Sequence, residues 1–352
     1  MGTEAINMLK QYLVTGVENL VTKILDKTFN RLPGLKEKYE KYEKEKALED
    51  INFHLDHLFT CYSLGKPKLF NEYVSWTRSL LETRGITYKE IKITFETIKD
   101  ILFSKLPERV CLDIREYFEI IEDNALNKKI KVETLLDSQT KLEDPLAVEY
   151  LDALLNKSRK EATELILNAL NIEYTIKDLY LRVIQPVQYE IGRLWQLNEL
   201  SVAKEHYCTA TTQMIISNLY PFIFSTAKID KTLIATSISK DLHEVGIRIV
   251  ADFFEMEGWN TYFLGANTPI KSIINEIKEK NVDLLAVSAT LIIYVEAIQD
   301  LIQTIKDENI DVKVLVGGYP FNLDPNLWQE IGADAFAPDP ESAISIGNNL
   351  VN

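Results

Sequence analysis

The sequence predicts a chain that is helical over its first two thirds and α/β over its last third. Before about residue 230, apolar residues recur at helical spacing, as in Leu55, Leu58, Phe59 and Tyr62. After that point, short runs rich in β-branched residues alternate with helical patterns. Strands that alternate with helices are typical of a parallel sheet of the doubly wound type.

Each region of the chain has its own sequence character. Residues 1–125 form a predicted helical sensor domain, residues 126–145 a polar linker, and residues 146–228 a four-helix bundle in which Pro186 marks a kink or a helix start. Residues 229–352 form the sheet domain, of Rossmann-like (flavodoxin-like) type. Its predicted strands are 232–236, 261–264, 284–287 and 314–316, and its predicted helices are 246–257, 269–280 and 294–307.

Composition narrows the classes of function. The chain has 352 residues, with 39 basic and 53 acidic side chains and a formal charge of -14, a field that repels phosphate backbones and argues against nucleic-acid binding. No apolar stretch reaches the roughly 18 residues of a membrane span. Cys61, Cys111 and Cys208 are too far apart for a metal cluster and too few for a disulfide framework, which favours a cytoplasmic protein.

A histidine follows the first predicted strand at the place where such folds bind ligands. Asp241 and His243 come just after this strand, and ligand sites of doubly wound folds lie beyond the carboxyl ends of strands. Asp241 is two residues from His243 and can accept the proton of one ring nitrogen, which makes the imidazole a better metal ligand. Gly246 then lets the start of the next helix pack close to the ligand.

The next two strands end in small residues. The third leads into Ser288 and Thr290, whose alternate positions can present two hydroxyl groups to one ligand. The fourth ends in Gly317 and Gly318, which removes side chains where a flat ring passes the backbone. Each feature alone is common in structural turns, and their combination is far more specific.

The complete pattern resembles the B12-binding domain family. It reads Asp-x-His-x-x-Gly, 41 residues, Ser-x-Thr, 26 residues, and Gly-Gly. The resemblance implies that His243 is the lower ligand of a corrinoid cobalt and that Asp241 supports it. It also implies that the nucleotide tail of the corrinoid fills a slot lined by Ser288, Thr290, Gly317 and Gly318. Thr290 departs from the family pattern, in which many members have leucine.

The bundle carries a second pattern, Trp195 followed by nine residues and then Glu205 and His206. It is similar to the cap of the CarH light-dependent regulators, which implies that Trp195 covers the adenosyl group of adenosylcobalamin while Glu205 and His206 bond the ribose or adenine. Gln196 stands where those regulators have the histidine that captures cobalt after photolysis. His206 is then the nearest replacement as upper ligand, with water as the alternative. The alternative to the cap interpretation is that Trp195 is an ordinary core residue of the bundle.

The N-terminal region resembles the helical domain of the photocobilins, B12 photoreceptors that also hold biliverdin. This implies histidine contacts to the pyrrole groups, aromatic stacking on the tetrapyrrole and arginine pairing with its propionates. The residues expected in these roles are His54, His57, Tyr73, Trp76, Arg78 and Arg84. The alternative is a dimerisation or signalling bundle with an aromatic core.

Together these resemblances imply a light sensor rather than an enzyme. Photolysis of adenosylcobalamin would move the cap and change a homo-oligomer, which would act on an unknown protein partner. The first alternative is a corrinoid methyl carrier that shuttles methyl groups between methyltransferases and shares the His243 motif without needing the Trp195 cap. The second is a B12-responsive adaptor that binds its partner without light.

Overall fold

The computed structural model describes residues 20–32, 41–121, 144–224 and 226–352. The chain divides into two compact units, Met1–Val132 and Glu133–Asn352. Most of the linker predicted at 126–145 lies outside the described residues. The four-part division predicted from the sequence stays a prediction. In the described ranges, no helix is both long and apolar enough to span a membrane.

The first unit is helical over most of its described residues, 20–32 and 41–121. Residues 20–31 form a helix. The helices that follow are α1 (Lys41–Ser63), α2 (Pro67–Thr83), α3 (Tyr88–Lys105) and α4 (Glu108–Ile120). A capping box starts α3, because the Thr87 side chain accepts from the Glu90 N–H and the Glu90 carboxylate accepts from the Thr87 N–H. The core is aromatic, with Phe70, Phe95 and Tyr117 almost fully buried.

The second unit begins with the predicted bundle. Its helices are α5 (Pro145–Asn156), α6 (Arg159–Ile172), α7 (Ile176–Asp178), α8 (Gln185–Gln196) and α9 (Val202–Ile223). A π-helical turn, Leu179–Ile184, joins α7 to α8, so these two form one continuous segment. In this turn the N–H of Gln185 bonds the carbonyl of Tyr180, five residues earlier. The wider turn immediately precedes Pro186, which has no N–H and whose ring crowds the preceding turn of a regular helix.

A five-stranded parallel sheet follows the bundle. Its strands are β1 (Thr232–Ile238), β2 (Asn260–Thr268), β3 (Leu284–Ser288), β4 (Lys313–Gly317) and β5 (Ala335–Phe336). They lie in the order β2-β1-β3-β4-β5, and every pairing is parallel. The predicted fold class, helical regions followed by a flavodoxin-like doubly wound sheet, is therefore confirmed. The strand order reverses between β1 and β3, the position at which such sheets bind ligands.

Helices cover the sheet. They are α10 (Val245–Met256), α11 (Ile270–Lys280), α12 (Val295–Asp307), α13 (Tyr319–Leu323), α14 (Leu327–Glu330) and α15 (Pro340–Leu350). On one side, Trp259 is fully buried and meets Phe254 edge to face with ring centroids 5.0 Å apart. The three central strands β1, β3 and β4 are mostly buried, as expected for a parallel sheet covered on both faces, whereas the edge strands β2 and β5 are only partly buried.

Candidate ligand-binding site

The register of the sheet brings three strand ends side by side. Ser237 of β1 pairs with Ser288 of β3, and Ser288 pairs with Gly317 of β4. The Ser237 hydroxyl donates to the carbonyl oxygen of His243 at 2.6 Å. This bond folds the loop after β1 back over the strand ends, and it places His243 at the carboxyl edge where the sequence predicted it.

Asp241 organises this loop. Its carboxylate is fully buried, and Oδ1 accepts from the His243 N–H at 3.1 Å and lies 2.9 Å from His243 Nδ1. Oδ2 accepts from the backbone N–H of Thr290 at 2.7 Å, so Thr290 enters the site through its backbone. The hydrogen bond that His243 donates to Asp241 raises the pKa of His243, and burial opposes the rise. With Nδ1 engaged, Nε2 of the imidazole, whose side chain is 65% exposed, is the nitrogen available to a metal.

The end of β2 supports the same loop from the other side. The Asn267 N–H donates to the carbonyl of Asp241 at 2.9 Å, and the Lys240 N–H donates to Asn267 Oδ1 at 2.7 Å. Both Lys240 and Asn267 have left-handed backbones, with φ of 72° and 53°. Further along, the Ala266 N–H donates to Glu244 Oε2 at 3.0 Å. Sequence reasoning missed Lys240, Glu244 and Asn267, and the only available signal was that asparagine favours left-handed turns.

The glycines of the motif have different structural roles. Gly318 has a φ of 102°, and a Cβ there would lie 2.1 Å from the carbonyl oxygen of Ala289. A Cβ on Gly317 would lie 3.2 Å from the carbonyl oxygen of Ala337. Backbone packing therefore requires glycine at position 318, whereas a Cβ at position 317 would make only a tight contact. Gly246 is the opposite case, since a Cβ there would meet nothing within 4 Å and would point into open space.

The bundle places one of its predicted residues near His243. The charge of Glu205 raises the pKa of His243, although less than Asp241 does. Its Oε2 lies 2.5 Å from His206 Nδ1, and its Oε1 accepts from the Thr209 hydroxyl at 2.9 Å. The side chain of His206 is 74% exposed. Trp195 lies half-buried in the last turn of α8.

The histidines of the first unit are core residues. His54 Nδ1 lies 2.7 Å from the Tyr73 hydroxyl, and the His57 ring stacks on the Tyr73 ring at 3.6 Å between centroids. His57 Nδ1 is also 2.8 Å from the Phe53 carbonyl. Burial lowers the pKa of His54 to about 3 and that of His57 to about 4, so both rings are neutral. Trp76 is half-buried, with its ring 6.5 Å from that of Tyr73.

The two arginines predicted for propionate binding are engaged inside the same unit. Arg78 is buried, donates from Nε to Glu82 at 3.0 Å and lies over the Tyr88 ring at 4.9 Å. Arg84 donates from Nη1 to the carbonyl of Leu80 at 2.9 Å. The six residues predicted to contact a bilin thus include a buried, mutually packed cluster around Tyr73.

Comparison with known proteins identifies the sheet domain. Residues 231–345 match the family model described as B12 binding domain. A second model with the same description matches the bundle, at residues 146–220. The second unit therefore carries a corrinoid-binding region that includes both the sheet and the bundle.

Curated relatives of the chain are named as corrinoid proteins, and several of them as dimethylamine corrinoid proteins. It is 26% identical over 170 residues to dimethylamine corrinoid protein 1 of Methanosarcina acetivorans, covering 46% of this chain and 77% of the relative. It is 26% identical over 168 residues to dimethylamine corrinoid protein 3 of Methanosarcina mazei, covering 47% and 96%. The Methanosarcina barkeri monomethylamine corrinoid protein shares the fold, with a TM-score of 0.52, 22% identity and coverage of 58% of this chain and 98% of that one.

These findings overturn the light-sensor interpretation. The relatives are named as methylamine corrinoid proteins, so the assignments to the CarH regulators and the photocobilins are wrong, and so is the light-dependent homo-oligomer. The bundle belongs to the match, so its presence does not distinguish a photoreceptor from a carrier. The biliverdin prediction is also wrong, and the cavity beside His54 measures about 50 Å³, far below a tetrapyrrole. The role predicted for His206, as upper cobalt ligand after photolysis, depended on the light-sensor interpretation and has no support without it.

Proposed function

We propose that this chain is a corrinoid methyl carrier, a subunit that takes a methyl group from one methyltransferase and presents it to another. The observation that carries the proposal is the preformed arrangement of Asp241, His243 and Thr290 in a B12 binding domain. Similarity to dimethylamine corrinoid proteins supports the carrier role. The chemistry of demethylation and remethylation belongs to the partner enzymes, and the chain itself is not the catalyst.

The residues at the strand ends fit a corrinoid. His243 offers Nε2 as the lower ligand of cobalt, because Asp241 holds Nδ1 and fixes the tautomer. Leu242 and Tyr319, 72% and 59% exposed, offer apolar surface to the corrin ring beside the loop and after β4. The open space at Gly246 leaves room for the ring edge. Bound there, the cobalt supplies the atom that takes up and releases the methyl group.

The tail slot and the cap complete the proposed site. Ser288, Thr290, Gly317 and Gly318 line the slot for the nucleotide tail, at the joined ends of β3 and β4. On the bundle side, the half-buried Trp195 would lie over the corrinoid and exclude water from it, although a carrier does not require this cap. Glu205 is expected on the same side, because its charge raises the pKa of His243.

Reconstitution with cobalamin tests the proposal. The purified full chain is mixed with methylcobalamin and with adenosylcobalamin, and the absorbance spectrum reports whether histidine replaces the nucleotide base. We expect uptake with a histidine-ligated spectrum, its loss in His243→Ala, and its retention in the control His206→Ala. Methylcobalamin should bind at least as tightly as adenosylcobalamin. No uptake, or a strong preference for the adenosyl form, would contradict the carrier function.

A second measurement separates the carrier from a light sensor. The loaded protein is passed over a size-exclusion column in the dark and after full photolysis. A methyl carrier should elute identically in both conditions, because no contact of the assembly depends on an adenosyl group. Different elution would contradict the proposal.

A further inference from the structure

A stripe of three charged residues runs along one face of the segment that follows His243. Glu244, Arg248 and Asp252 are spaced by four residues, which aligns them on a helix. All three contact the bundle. Arg248 and Asp252 are buried, although charged residues are rarely buried unless they are paired. Three of their partners recur at helical spacing on α9, namely Gln213, Ser217 and Tyr220. The fourth partner is Tyr180 of the π turn.

Arg248 and Asp252, the second and third residues of this stripe, make close hydrogen bonds to the bundle. Arg248 donates to the Ser217 hydroxyl at 2.8 Å, to the Tyr220 hydroxyl at 3.2 Å and, from Nη1, to the Gln213 carbonyl at 3.3 Å. The Tyr180 hydroxyl donates to Asp252 Oδ2 at 2.5 Å. These buried polar contacts fix the alignment of α9 against α10, because sliding either helix would leave a buried charge unpaired.

Glu244, the first residue of the stripe, belongs to the loop that carries His243. Gln213 Nε2 donates to Glu244 Oε1 at 2.8 Å, and Glu244 directly follows His243. The other carboxylate oxygen of Glu244 is held by the Ala266 N–H at 3.0 Å. It fits there because Gly265 has no side chain, and a Cβ at Gly265 would lie 3.2 Å from that oxygen. Glu244 therefore bridges the end of β2 and the bundle, with one oxygen for each.

We propose that Gln213 is a positioning residue for the lower cobalt ligand, through its hydrogen bond to Glu244. The bond ties the backbone next to His243 to α9, so the position of the bundle and the ligation of cobalt by His243 are coupled. Coupling between two equilibria is reciprocal: a bundle held against the sheet favours the ligated histidine, and the ligated histidine favours the closed bundle. Such a link would serve a carrier that presents one cobalt to two partners, and this role rests on the proposed function.

The test compares Gln213→Leu with a matched control. Gln303→Leu removes an equivalent amide–carboxylate bond, from Gln303 Nε2 to Asp307 at 2.7 Å, on the exposed face of α12. Gln213→Glu is a second variant that keeps the shape and sets a carboxylate against Glu244. Each full-length protein is loaded with methylcobalamin, and the ratio of histidine-on to histidine-off cobalamin is read from the absorbance spectrum. Amide exchange of α9 is measured with and without cobalamin.

We expect Gln213→Leu to lower the histidine-on ratio about tenfold, the scale of one hydrogen bond to a charged group, and Gln213→Glu to lower it further. Exchange in the middle of α9, around position 213, should rise in both variants, and cobalamin should no longer slow it. Gln303→Leu should match the wild type. An unchanged histidine-on ratio in both Gln213 variants would overturn the proposal, whatever the exchange of α9.

The two readouts also separate this inference from the proposed function. If the wild-type chain takes up no cobalamin, the carrier function fails. The exchange of α9 in cobalamin-free protein still shows whether Gln213 holds the bundle to the loop. If cobalamin binds normally but Gln213→Leu changes exchange without changing the histidine-on ratio, Gln213 is only structural and the coupling is wrong.

Discussion

The buried carboxylate of Asp241 accepts the backbone N–H of Thr290 at 2.7 Å, and this contact joins the loop after β1 to the segment after β3. The same carboxylate holds the His243 ring. One side chain thus sets the geometry of the candidate lower ligand and closes the gap between two strand ends at the point where the strand order reverses.

Replacement of Asp241 should therefore damage both stability and ligation. Asp241→Ala leaves the Thr290 N–H without its acceptor and frees the His243 ring, so we expect a loss of about 1–3 kcal/mol in the free energy of unfolding. The histidine-on fraction of bound cobalamin should fall as well. Urea unfolding and absorbance measure the two effects. Asp311→Ala, at an exposed site of the same domain, is the control and should change neither.

Two glycines of the motif should respond oppositely to the same substitution. Gly318→Ala places a Cβ 2.1 Å from the Ala289 carbonyl oxygen at a φ of 102°, so it should cost at least about 2 kcal/mol of folding free energy. Gly246→Ala meets no atom within 4 Å and should leave stability unchanged or higher, while weakening cobalamin binding. Urea unfolding and a cobalamin titration test the pair. Equal losses of stability would contradict the packing role of Gly318.

Acid should destabilise the first unit through its neutral histidines. Burial lowers the pKa of His54 to about 3 and of His57 to about 4, whereas both titrate near 6.5 when unfolded. The unfolded chain therefore binds more protons below pH 6.5, and stability falls as the pH decreases. Each histidine should cost about 2 kcal/mol between pH 7.5 and pH 5.

The variant His54→Gln/His57→Gln tests this slope. Glutamine does not titrate and can still bond the Tyr73 hydroxyl. Unfolding curves at several pH values, followed by the amide exchange of α1, should show a strong pH dependence in the wild type and a weak one in the double variant. Parallel curves would show that the two histidines are not the source of the acid sensitivity.

Asp252 should have the opposite effect in the second unit. Burial raises its pKa to about 6, against bonds from Tyr180 and Tyr220 and the charge of Arg248, which lower it, while Glu255 adds to the rise. The folded state then binds the extra proton between pH 4 and pH 6, so stability declines as the pH rises through this window. The loss should be about 2 kcal/mol between pH 4 and pH 7. Asp252→Asn should remove it, as judged from the difference between variant and wild-type unfolding at each pH.

Much of the sheet domain was predictable because its elements have strong periods. The predicted helix 246–257 corresponds to α10 at Val245–Met256, and each of the four predicted strands overlaps an observed one. β5 was missed because a strand of two residues, Ala335–Phe336, shows no period. The π turn was missed because one surplus residue in a continuous helix leaves the apolar pattern almost unchanged.

Individual side-chain contacts of the site were predictable where the two residues are close in sequence. Asp241 and His243 are two residues apart, and their pairing was read correctly as a local contact. Glu244 and Gln213 lie 31 residues apart, and no local pattern relates them. His54 and His57 show another limit, since their spacing places them on one helix face but does not reveal that this face is buried. The function was misjudged because the corrinoid motif is shared by carriers and photoreceptors alike.

The π-helical turn Leu179–Ile184 makes the length of its helix as important as its composition. It lies between Tyr180, which bonds Asp252, and Trp195, in the last turn of α8. A π turn holds one residue more than a regular helical turn, so deleting one residue within it would leave regular α-helix while the residues on either side kept their present directions. A deletion between the turn and Trp195 would instead rotate Trp195 by about 100° relative to Tyr180. A one-residue deletion is therefore expected to do less harm within the turn than in α8.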